Sequence, residues 1–165
     1  LSLEPDHQAG AVMAPVLVIG VGNRDRGDDA IGPLLLERLR ARPEAGGATA
    51  VELLDAYQLQ PEHALDLRGR RRVIVVDAAA SGPAPFTHVP VSPTPDAVIT
   101  THSLSPAALA AVYLCLFGSA PALELLAVRG ECFRLGAAPS TAAATNLGAA
   151  LAWLRRELSS ALPTG

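Results

Sequence analysis

The segment GVGNRDRGDDAIGP, residues 20–33, places Asp25, Asp28 and Asp29 in one glycine-bearing stretch. Further along come Asp55 in LLDAYQLQPEHALDL, Asp77 in VIVVDAAASG and His102 in ITTHSLSP. Two carboxylates and one imidazole are enough for a three-point site for a borderline or hard divalent metal, with the open positions left to a substrate. The same groups can serve as general base and general acid in a hydrolysis. Each residue alone has a plainer reading. The Asp28–Asp29 pair reads as a solvated turn or a helix cap. Asp77 reads as a cap at a strand end, and His102 as a structural histidine. The chemistry depends on whether the fold brings them together.

The hydrophobic pattern predicts strands alternating with helices. Strands are expected at 16–20, 49–54, 72–77, 86–91 and 122–128. Helices are expected at 33–42, 61–68, 104–117 and 140–159. Pro90 restricts the fourth strand to a sheet edge. Such alternation implies an α/β fold. The expected form is a three-layer α/β/α sandwich around a twisted, mostly parallel five-stranded sheet, with one edge strand antiparallel. Residues 15–160 read as a single domain. Residues 1–14 are expected to lie outside it, disordered or left over from cloning, and residues 161–165 to form a flexible tail. In open parallel sheets ligands bind beyond the carboxyl ends of the strands. Asp29, Asp55, Asp77 and His102 would then share one edge, with Gly20, Gly22, Asn23 and Asp28 shaping the first loop.

Composition excludes several functions. The chain has 165 residues, 50% of them hydrophobic and 18% charged, which places it among packed domains. All thirteen basic residues are arginine, so Schiff-base chemistry and a phosphate-loop lysine are impossible. The net charge of -3 leaves no basic footprint for nucleic acid. No apolar run reaches the roughly 20 residues of a membrane span. Cys115 and Cys132 are not spaced as a metal or redox pair and read as free thiols of a cytoplasmic protein. A dinucleotide reading of the glycine loop fails because its sixth place is Asp25, and three aspartates oppose a pyrophosphate. Ser103 and Ser105 lie beside His102, but no G-x-S-x-G elbow is present. His63 could line the same cleft from a short helix, and His88 is expected to be exposed on the edge strand.

The blocks GVGNRDRGDDAIG, LLDAYQLQPEH, VVDAAASG, TTHSLSP and RGECFRLGAAPS, in this order and spacing, resemble the hydrogenase maturation proteases. The resemblance runs from about residue 15 to residue 158. It implies the α/β/α sandwich and an endopeptidase acting on a nickel–iron hydrogenase large-subunit precursor. That enzyme removes a C-terminal extension once nickel is in place. The family's three metal-contacting and catalytic positions match Asp29, Asp77 and His102, and its substrate-recognition aspartate matches Asp55. Nickel would arrive with the substrate, with no intrinsic cofactor, and the chain is expected to act as a monomer. The sequence departs from the family pattern at Asp25, which is more often apolar, and at Asp29, where some members have glutamate. It also departs after Asp55, where DAYQLQPEH replaces a glycine-rich form. A non-catalytic protein that checks the nickel-loaded precursor is the alternative reading. Which of Asp29, Asp77 and His102 is base or acid stays open.

Overall fold

The computed structural model describes residues 13–43, 50–94 and 104–161. The chain runs through β1 (Val16–Val21), a 3₁₀ turn (Gly27–Ala30), α1 (Ile31–Ala41), β2 (Val51–Ala56) and α2 (His63–Asp66). It continues through β3 (Arg72–Ala79), β4 (Phe86–Pro90), α3 (Pro106–Phe117), β5 (Leu123–Arg129) and α4 (Thr141–Ala161). The five strands form one sheet in the order β2-β1-β3-β5-β4. β1 pairs in parallel with β2 and β3, and β3 with β5. Only β4 is antiparallel, against β5 at the outer edge. Pro90 closes this edge strand, where a missing N–H is tolerated. The sheet has the expected class and the expected antiparallel edge.

Alternate strand residues feed two cores, because successive side chains point to opposite faces. Val16, Val18, Ile74, Val76, Leu126 and Val128 pack against leucines of α1 and α4. Leu17, Ile19, Val73, Val75 and Leu123 face the other way, toward Leu67 and the Leu104–Ala110 stretch. β1 is buried at every position. That is why its sequence is an unbroken apolar run instead of an alternating one. Each fully buried aliphatic side chain contributes about 1.5–3 kcal/mol of transfer free energy. The core is aliphatic throughout.

Several boundaries differ from the sequence expectation. α1 starts at Ile31, two residues early, since the 3₁₀ turn at Gly27–Ala30 winds directly into it. β2 and β3 run on to Ala56 and Ala79, because Val21 still pairs with Ala56 and Ala79 with Arg129. Asp55 therefore sits inside β2 instead of after it, and Asp77, expected as the last residue of its strand, is followed by Ala78 and Ala79 in β3. The helix expected over 61–68 is a single turn, His63–Asp66. Ala14, expected outside the fold, is buried, and its carbonyl accepts a bond from Arg70 Nη1. Ala161 belongs to α4 and not to a tail.

His88 is not the exposed residue expected. Its Nε2 lies 2.5 Å from Glu124 Oε2 and its ring packs on Trp153 at 4.5 Å between centroids. Glu124 also receives a bidentate pair from Arg72, which reaches Glu157 of α4. These ion pairs join β3, β4, β5 and α4 at the end of the sheet opposite the aspartates. No described helix is long and apolar enough to cross a membrane.

Candidate functional site

Chain order creates the site. From β1 the chain crosses to β2 on one side, then returns to β3 on the other side of β1. The carboxyl ends of β1 and β3 thus flank a switch point, where loops diverge and leave a crevice. The loop after β1 carries Asp29, and Asp77 stands near the end of β3. Asp77 shares its strand parity with Val73 and Val75, so it points to the face that α3 covers.

Gly22 sets the position of Asp29. Its φ is +140°, and an added Cβ would lie 1.9 Å from the Asp29 carbonyl oxygen. No other residue can pass so close to that backbone. Gly20 has the same purpose one step earlier, since a Cβ there would meet the Gly32 carbonyl oxygen at 2.7 Å. The glycines thus admit neighbouring backbone. Beyond Gly22, the Asn23 N–H donates to Asp29 Oδ2 at 2.9 Å. Asn23 Oδ1 accepts the Asp25 N–H, which tightens the loop into an Asx turn. Asn23 and Asp29 are therefore oriented together.

The neighbouring acid has a different task. Asp28 is fully buried. Its carboxylate accepts the N–H groups of Glu131 and Cys132, and both the N–H and the hydroxyl of Ser140. Burial alone would raise its pKa, but these hydrogen bonds outweigh it and hold the carboxyl below its ordinary value. Backbone bonds reinforce the clasp, from Asp28 N–H to the Cys132 carbonyl, Gly27 N–H to Ala137 and Gly136 N–H to Asp25. At Gly27 and Gly130 an added Cβ would meet Cys132 oxygen at 2.3 Å and Asp28 Cβ at 2.8 Å. The segment 130–140 is thereby fastened onto the glycine loop. Asp28 was expected to shape the loop, but Ser140 was not singled out. The signal was present, because a serine before a helical run is an N-cap. Here its hydroxyl caps α4 by accepting the Ala143 N–H.

The other sequence candidates fall into place around this frame. Asp77 Oδ1 accepts the Ala78 N–H at 2.8 Å. Burial is the main cause that raises the Asp77 pKa to about 6; the Ala78 bond opposes it and the Asp29 charge adds to it. Asp55 pairs with Arg40 of α1 and lines a cleft beside Gly22, Asn23 and Tyr57. His63 Nδ1 accepts the Gln60 N–H and so closes its own helical turn. Ser105 caps α3 by accepting the Ala108 N–H, which gives it a structural role in place of a nucleophile's. His102 lies outside the described residues. Among the described residues no three metal-ligating side chains converge. Asp29 lies near enough to Asp77 for its charge to act on that carboxyl, and the two offer hard oxygen donors.

No protein-family model and no curated protein matches the chain. Solved structures do match along most of its length. The hydrogenase maturating endopeptidase HybD from E. coli superposes with a TM-score of 0.70 at 26% identity, over 88% of this chain and 92% of that one. The NiFe hydrogenase maturation protease HycI from Thermococcus kodakarensis KOD1 gives 0.67 at 21% identity, over 89% and 93% of the two chains. A hydrogenase 3 maturation protease gives 0.63 at 19% identity, over 91% and 92%. At their lower identities, the last two speak for the fold.

Proposed function

We propose that the chain is a hydrogenase maturation protease, the endopeptidase that removes the C-terminal extension of a nickel-loaded hydrogenase large-subunit precursor. The observation that carries the reading is the Asp29–Asp77 pair at the switch point, on a chain alike in fold to these endopeptidases over nearly its full length. Asp29 and Asp77 would contact the nickel held by the precursor, with His102 as the third contact. Carboxylate and imidazole donors suit a borderline divalent ion. Three such donors leave the remaining positions of the ion to ligands that the precursor brings.

Hydrolysis then requires a water whose oxygen bonds to the scissile carbonyl carbon. One proton passes to a base, the carbon–nitrogen bond breaks, and the leaving amine takes up a proton. Asp77, with its pKa near 6, is suited to hold or release a proton close to neutral pH. Asp29, oriented by the Asn23 N–H, offers a fixed carboxylate. Asp55, already engaged by Arg40, stands at the cleft as the substrate-recognition residue.

The test uses purified chain with nickel-loaded and nickel-free precursor. The expected result is a product shortened at its C-terminus from the loaded form alone. Asp29→Asn and His102→Ala should each slow this cleavage by about 100-fold or more. A wild-type chain that binds the loaded precursor but leaves it intact would be the checking protein and would overturn the reading.

A further inference from the structure

The Tyr57 hydroxyl accepts a hydrogen bond from Asn23 Nδ2 at 2.9 Å. The direction of this bond is set independently, because Asn23 Oδ1 is engaged by the Asp25 N–H. An amide NH₂ only donates, so the Tyr57 oxygen accepts and its own proton is left over. That proton has no partner among the described residues. Tyr57 is 68% exposed. With Gly22, Asn23, Asp25, Pro33 and Asp55 it lines a cleft of about 490 Å³. The same Asn23 orients Asp29 through its backbone N–H, so the cleft borders the loop that holds Asp29.

The charges of the cleft narrow what it can hold. Arg24 is engaged by Glu37, and Asp55 by Arg40. Among the described residues the Asp25 carboxylate is in no salt bridge. A cleft without a spare cation disfavours phosphate or carboxylate ligands. It suits a neutral polypeptide main chain, which offers carbonyl oxygens to a waiting hydroxyl.

We propose that Tyr57 is a specificity-determining residue: its hydroxyl donates to a main-chain carbonyl of the precursor segment beside the scissile bond, and its ring packs on a side chain of that segment. The inference rests on the proteolytic reading above and goes one residue class beyond it. Tyr57 binds substrate and leaves the bond-breaking step to the aspartates.

Steady-state cleavage of the nickel-loaded precursor by wild type, Tyr57→Phe and Tyr57→Ala tests it. One neutral hydrogen bond corresponds to about a 2- to 12-fold change. Tyr57→Phe should raise KM by that factor with kcat unchanged, and Tyr57→Ala should raise KM further, since the ring contact is lost as well. An unmoved KM in both variants overturns the inference while leaving the proteolytic reading intact. A fall in kcat at constant KM also overturns it, since Tyr57 would then act through Asn23 on Asp29. Absence of cleavage by wild type is the separate failure of the proteolytic reading. Because Tyr57 is exposed, both variants should fold, and an unchanged melting temperature checks this.

Discussion

The Asp77 carboxyl is buried near the end of β3, and the neighbouring Asp29 charge adds to the burial that raises its pKa to about 6. The folded chain therefore holds the Asp77 proton more tightly than the unfolded chain does. The stability contributed by this proton is fully present below about pH 3.8 and is lost as the pH climbs through about 6. Asp77→Asn removes the buried charge and keeps an oxygen for the Ala78 N–H. In the absence of substrate, this variant should be more stable than wild type at pH 8 by roughly 1–3 kcal/mol. The difference should vanish near pH 4. Urea denaturation at the two pH values checks it, and an equal difference at both would refute the account.

Asp28 predicts the opposite sign. Its folded pKa is lowered, so its contribution is present above the ordinary carboxylate pKa and is lost as the pH falls through the lower folded value. Asp28→Ala would leave the N–H groups of Glu131, Cys132 and Ser140 without their acceptor. Loss of a buried, fully bonded carboxylate should cost about 3–5 kcal/mol in denaturant unfolding. The 130–140 segment should also become open to proteolysis, with the first cuts appearing there.

Gly22→Ala isolates the positioning of Asp29. The added Cβ has no room beside the Asp29 carbonyl, and the φ of +140° is strained for any side chain. Cleavage of nickel-loaded precursor should fall by about 100-fold, since a displacement of about 1 Å at a site can cost that much. A Gly148→Ala control lies on α4 with nothing within 4 Å of its added Cβ. It should retain full activity. Matched losses in the two variants would show that Gly22 has no special place.

Much of the fold was legible because burial writes itself into the pattern. VLVIG is apolar at each position because β1 is covered on both faces. Pro90 announced the edge strand, since only an edge tolerates the missing donor. Strand ends were less legible. Asp55 looks like the first loop residue and Asp77 like the last of its strand, yet the ladders to Ala56 and Ala79 continue past them. A polar side chain at the rim of a sheet is compatible with either state, so hydrophobicity cannot mark the boundary.

The two adjacent aspartates show the division most sharply. Sequence alone supplied the carboxylates, the glycines able to approach backbone, the absence of lysine and the alternation that demands a parallel sheet. Those are properties of residue types and spacing. Residue type and spacing could not tell Asp28 from Asp29, and only the family resemblance marked Asp29 as the metal-contacting one. Only the tertiary structure turned Asp28 inward onto Glu131, Cys132 and Ser140, more than a hundred residues away, and left Asp29 beside Asp77. Tyr57 became a site residue in the same way, through the 2.9 Å bond from Asn23. Roles of this kind arise from partners distant in the chain, and a carboxylate's or phenol's task is set by which donors and charges the folded backbone places around it.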